Sequence, residues 1–173
     1  NFRADIAGAA TYGWIAGESA AERAMGIRGF EKAEKSPLVQ DRAGLYARFM
    51  GKEVGPDWRE ANVALQQIMK DYAGVVVRSE TLLKAGLKYF RDLREKVLET
   101  MVARNAHTLM RCMEVLDLME CGEMIFLTAL ERKETRAQHK RSDFPFTNPL
   151  LTEKFITIRQ EKGTPVTEWR NRA

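Results

Sequence analysis

The chain has 173 residues, 45% hydrophobic and 30% charged, enough for one domain whose core needs neither disulfide nor metal. Lys and Arg exceed Asp and Glu by four with the signs interleaved, so charge alone does not argue for an anionic partner. No apolar run approaches the roughly 18 residues of a membrane span, and no signal peptide is visible. Cys112 and Cys121 fit neither a CxxC redox pair nor a zinc-ligand spacing, and read as buried thiols in a reducing cytosol.

The first predicted helix runs from Asp5, a plausible N-cap, to Met25, before Gly26. Ala9, Gly13, Ala16, Gly17, Ala20 and Ala24 give it a thin face that admits a close neighbour. "GIRGFEKAEKS" then reads as a connector, and a short helix after Pro37 is expected to turn Leu38, Leu45, Phe49 and Met50 inward. Asp57 and Glu60 have capping-box spacing, and Trp58, Ala61, Leu65, Ile68 and Tyr72 form one helical face. Ser79 caps the next helix, with the stripe Leu83, Leu87, Phe90, Leu93, Val97 and Met101. Another runs from Asn105 to Arg132 and carries Leu109, Met113, Leu116 and Met119.

The tail changes period. Phe155, Ile156 and Ile158, then Gly163, then Val166 and Trp169 predict a hairpin, with Pro165 confining its strand to an edge. The expected fold is mainly α: an antiparallel three-helix bundle of spectrin-repeat-like type with a small C-terminal β-hairpin. The divisions expected are 1–26, 27–56, 57–145 and 146–173.

The densest polar stretch is "RKETRAQHKRSDFP", Arg132 to Pro145. A phosphate-binding stripe would use such cations, but no aromatics interleave for stacking, and Glu134 and Asp143 interrupt it. Cations near a helix C-terminus also complement its dipole, so nucleic acid is not expected. His107 and His139 are the two histidines, too few for a zinc site. GxGxxG and Walker A patterns are absent, and no catalytic metal or nucleophile is readable.

"RKETRAQHKRSDFP" resembles the R-x-E-S-R-G-A-H-x-R-x-D-[FY]-P signature of the succinate dehydrogenase/fumarate reductase flavoprotein family, which includes L-aspartate oxidase. The matching positions are Arg132, Glu134, Arg136, His139, Arg141, Asp143, Phe144 and Pro145; Thr135 replaces Ser, and Ala137-Gln138 replaces Gly-Ala. "WREANVALQQIMKDYAGVVVRSETLLKAGLKYFRDLREKV" and "LMRCMEVLDLMECGEMIFLTALERKE" are similar to family helices in order and spacing. "YGWIAGESAAE" is similar to "FGRRAGEAAA", the last helix of the FAD-binding domain.

The resemblance implies the C-terminal third of a flavoprotein, with FAD-binding and capping domains upstream. It implies Arg3, Asp5 and Ile6 at the flavin edge, no catalytic residue in this stretch, and no FAD bound by the fragment alone. Arg132, Glu134, Arg136, His139, Arg141 and Asp143 are implied as a network fastening this domain to the flavin domain. The implied activity moves electrons between a small dicarboxylate and a redox partner, an iron–sulfur subunit, on the cytoplasmic side and without membrane insertion. The thin first helix is expected to be an orphan in the fragment: mobile, packed at an angle the full protein would not allow, or buried against a second copy. The alternative is a free-standing helical module whose basic end binds an acidic protein or nucleic acid.

Overall fold

The computed structural model describes residues 2–29, 36–74 and 77–172, with side chains from Ile6 onward. It divides into two compact units, Asn1–Gly44 and Leu45–Ala173.

In the first unit, α1 spans Phe2–Met25. It begins three residues before the expected cap, Asp5, which lies inside the helix. Its apolar residues are open to solvent: Trp14 is 71% exposed and Tyr12 74%. A methyl group built at Gly8, Gly13 or Gly17 would meet nothing within 4 Å, so the thin face is uncovered among the described residues.

Helix α2 spans Pro37–Met50, with proline at its first position, where its missing N–H has no helical partner to lose. Phe49 is fully buried, as expected, but Leu38 and Met50 are exposed. The Phe49 carbonyl accepts from the Ala103 N–H at 3.0 Å, which pins that residue to the core. Met50 follows one residue on, about 100° around the helix, and so points away.

The second unit is built on α3 (Trp58–Ala73), α4 (Glu80–Thr100) and α5 (Ala106–Glu131). Each start is capped by a side chain that takes an otherwise free N–H: Asp57 from Arg59, Ser79 from Leu82 and Asn105 from Thr108. Leu65, Leu83, Phe90, Val97, Met101, Val115, Met119 and Phe126 form the core. Met101 lies just beyond α4 yet is fully buried.

Two glycines set the helix spacing. A methyl at Gly86 would lie 2.3 Å from Tyr72 Cβ and 2.7 Å from Phe126; one at Gly122 would lie 2.7 Å from Phe90. Gly86 thus faces Phe126 while Phe90 faces Gly122, so α4 and α5 run antiparallel and the two rings interlock edge to face at 5.6 Å. At the opposite end Val102 N–H donates to the Pro56 carbonyl, so α3 also runs against α4.

After a 3-10 turn at Pro149–Leu151, β1 (Lys154–Glu161) and β2 (Thr164–Asn171) pair as an antiparallel hairpin. Its tip is Lys162-Gly163, both at positive φ, the geometry of the two-residue turn that matches strand twist. Pro165 faces Gln160, one step from the closing pair, where an antiparallel ladder exchanges no hydrogen bond. The hairpin packs on α5, and Trp169 Nε1 donates to Glu131 at 2.8 Å. The chain is therefore mainly α with a small β-hairpin, as expected.

Candidate functional site

Helix α5 ends where Arg132 leaves helical geometry, its N–H still bonded to the Thr128 carbonyl. The next residues make a tight reversal. Arg136 and His139 exchange both backbone hydrogen bonds, at 2.8 and 2.9 Å, around the two-residue tip Ala137-Gln138. Ala137 sits at φ 50°, which L side chains rarely adopt and glycine adopts freely. This is where the signature has Gly, so the substitution keeps the turn and adds strain.

Two buried ionic centres flank the reversal. The first is Glu134, with no exposed surface. Its carboxylate accepts from Arg132 Nε (2.7 Å), from Arg136 Nε and Nη2 (3.0 and 3.2 Å), and from the backbone N–H of Asn148 (2.8 Å). Burial alone would raise its pKa, but the bonds from Arg136, Asn148 and Arg132 more than offset this and leave it lowered. The same arginines reach on to the Leu151 and Asn148 carbonyls and to Thr152 Oγ1. Residues 148–152 are thereby tied to the end of α5.

The second centre is Arg141, 1% exposed. Its Nη1 donates to the Ala129 carbonyl at 2.7 Å, in the last turn of α5. Its Nε and Nη2 form a bidentate pair with Asp143, both at 2.7 Å. Asp143 in turn accepts from the backbone N–H of Glu80, in the first turn of α4. A cation thus closes the negative end of one helix, an anion the positive end of the next, and the two side chains bond to each other. The Arg141 bond, joined by the Glu80 N–H, holds the Asp143 carboxyl down at about 2.

His139 joins these centres to the α3–α4 connection. Its Nε2 lies 2.9 Å from the Arg132 carbonyl and its Nδ1 2.9 Å from Arg78 Nη1. Arg78 also donates from Nε to the Ala73 and Gly74 carbonyls, which end α3. Its backbone pairs with residues 140–142: Arg78 N–H to the Lys140 carbonyl at 2.9 Å, and Ser142 N–H to the Arg78 carbonyl at 2.8 Å.

All six signature residues singled out from sequence are thus brought together, and the partners named above lie in the second unit. Arg78, Glu80, Thr135 and Asn148 were missed as members. Thr135 Oγ1 donates to the Phe144 carbonyl at 2.9 Å and accepts from Arg141 N–H. That explains why a hydroxyl residue stands there, Ser or Thr alike. Arg78 gave no signal, since its partner in the signature, His139, is 61 residues away.

Ile6 is exposed at the start of α1, while the side chains of Arg3 and Asp5 lie outside the described residues. Cys112 is buried, its thiol pKa raised by burial and then by Asp57; Cys121 is exposed. Among the described residues no group of three or more His, Cys, Asp or Glu could hold a metal ion. No described helix is long and apolar enough to cross a membrane.

An antiparallel three-helix unit, closed by an arginine–carboxylate clasp and followed by a hairpin, is a structural module whose polar residues bond to one another. Residues 62–171 match the family described as fumarate reductase flavoprotein C-term, and the chain belongs to that family, that of the succinate dehydrogenase/fumarate reductase flavoproteins. The fumarate reductase flavoprotein subunit of Haemophilus influenzae is 22% identical over 162 residues, 91% of this chain and 27% of that protein. Adenylylsulfate reductase from Archaeoglobus fulgidus has a similar fold, with a TM-score of 0.75 and 24% identity over 90% of this chain and 27% of its own. Mycobacterium smegmatis Sdh1 in complex with UQ1 gives 0.77 and 19%, over 91% and 27%. FrdA of E. coli quinol fumarate reductase gives 0.73 and 18%, over 91% and 28%. The chain spans about a quarter of the length of these relatives.

Proposed function

We propose that the chain serves as the C-terminal helical domain of an FAD-dependent oxidoreductase that moves electrons between a small dicarboxylate and a redox partner, such as an iron–sulfur subunit. The observation that carries this reading is the family match over residues 62–171, with the signature folded as one connected network. FAD, when bound by the parent protein, supplies hydride transfer to or from the substrate. This chain's contribution is positioning.

Two surfaces are assigned to that work. The first turn of α1, carrying Arg3, Asp5 and Ile6, faces the flavin edge. Helix N-terminal N–H groups suit a ring that becomes negative on reduction, which supports the assignment. The uncovered small face of α1 seats against the flavin domain, consistent with the open space at Gly13 and Gly17. The network of Arg132, Glu134, Arg136, His139, Arg141 and Asp143 aids docking from within. Its inner bonds hold the exposed tip Ala137-Gln138 and the exposed Lys133 and Lys140 in one fixed shape toward that domain.

The test compares the full reading frame with the 173-residue chain. Purified full-length protein is expected to carry flavin absorbance and to reduce fumarate or a related unsaturated dicarboxylate with a reduced viologen dye. The 173-residue chain is expected to do neither. Measurable FAD affinity of the short chain, or a full-length protein without flavin, refutes the proposal.

A further inference from the structure

The signature's histidine holds a position that only one protonation state can fill. A guanidinium has N–H donors and no acceptor, so the 2.9 Å contact between Arg78 Nη1 and His139 Nδ1 requires a lone pair on Nδ1. The proton of the neutral ring then sits on Nε2 and is donated to the Arg132 carbonyl at 2.9 Å. A second proton would have to enter Nδ1, where the Arg78 guanidinium already points its own.

The charged surroundings offer no compensation. From the α3–α4 connection His139 faces Arg78; from its own segment beyond α5 it faces Arg132 and Arg141. The two carboxylates of that segment are turned to other partners, Glu134 to Arg132 and Arg136, Asp143 to Arg141 and the first turn of α4. Burial and then these cations disfavour the imidazolium, although the bond to the Arg132 carbonyl acts the other way.

What Arg78 holds is a connection rather than a single contact. It ties the end of α3, through the Ala73 and Gly74 carbonyls, to residues 140–142 through its backbone. We propose that the Arg78–His139 pair is a proton-operated latch, which locks the α3–α4 connection to the segment after α5 when His139 is neutral and releases it when His139 is protonated. This does not depend on the flavoprotein reading, because every group in it belongs to this chain.

The test uses nitrogen-15 NMR of the 173-residue chain with amide exchange measured across pH. His139 is expected to be the Nε2–H tautomer at neutral pH and to titrate below the ordinary histidine value of 6.5. Between 6.5 and that midpoint, protection of the Arg78 and Ser142 amides should fall roughly tenfold per pH unit, as one-proton linkage demands. His139→Gln keeps a donor for the Arg132 carbonyl but cannot titrate, so that slope should vanish. An Nδ1–H tautomer, a midpoint at or above 6.5, or a slope that persists in His139→Gln overturns the latch. Should His139→Gln fail to fold, Arg78→Gln decides: removing the facing cation must raise the His139 midpoint, and an unchanged midpoint overturns the proposal.

Discussion

Replacing Glu134 by Gln keeps the shape of the side chain and removes the one negative charge between Arg132 and Arg136. The carboxylate accepts four hydrogen bonds, three of them from arginine donors, and has no exposed surface. The amide offers one acceptor oxygen and turns an NH2 group toward donors. Losing two charge-assisted bonds at about 1.5–3 kcal/mol each sets an upper range of about 3–6 kcal/mol. Side chains of Arg132 and Arg136 remain 18% and 31% exposed and can recover some hydration, so about 3 kcal/mol is expected. Glu123 provides the contrast. It also binds two arginines, Arg91 and Arg94, but those are 53% and 40% exposed. Glu123→Gln should therefore cost at most about 1 kcal/mol. Urea denaturation of the three proteins at pH 7, followed by circular dichroism, gives both values. If Glu134→Gln falls within about 0.5 kcal/mol of the parent chain, the idea that this buried cluster ties the C-terminal segment to α5 is wrong.

Asp143 should show in acid. Its carboxyl is held at about 2 against an ordinary 3.8, so its contribution is full above 3.8 and is lost as pH falls toward 2. Asp143→Asn is expected to flatten that part of the stability–pH curve, and an unchanged acid limb would refute the pairing. Ala137→Gly removes a left-handed cost of about 1 kcal/mol and increases chain entropy in the unfolded state, so stability should hold or rise slightly; Ala137→Val should lose at least about 1 kcal/mol, as read by thermal melts. Gly122→Ala places a methyl 2.7 Å from Phe90. Despite the better helix propensity of alanine, it should cost about 1–3 kcal/mol in urea titration.

Most of the bundle was legible because its signals are local. Asp57, Ser79 and Asn105 each precede an apolar stripe, and each accepts an N–H two or three residues ahead. The hairpin was legible from two β-prone runs around Gly163, though the positive φ of Lys162 was not. What sequence hid was contact at a distance. Gly86 and Gly122 look like weak points in helices until Phe126 and Phe90 are seen against them. Arg78 sits in the short β-prone run "VVVRSE", and nothing there announces a partner at His139. Leu38 and Met50 misled because helical spacing says which residues share a face, not whether that face is covered.

The candidate site shows the same division, and it bears on what the signature does. Its spacing is set by a reversal: Arg136 and His139 must face each other across two residues. It is also set by a clasp, since Arg141 and Asp143, two apart, must reach α5 and α4 at once. Those demands are met inside this unit, so the pattern would persist for folding even without a flavin nearby. On the docking proposed above, the contact would rest on groups the inner bonds leave outward: the Ala137-Gln138 tip, Lys133 and Lys140. Arg141→Met and Lys140→Glu would separate the two roles. The first should unfold the 173-residue chain more readily by at least about 3 kcal/mol, because it leaves Asp143 and the Ala129 carbonyl without their cation. The second should leave the chain's stability within about 0.5 kcal/mol and weaken flavin retention only in the full-length protein. If Lys140→Glu leaves flavin retention unchanged while Arg141→Met abolishes it, the signature acts through folding alone.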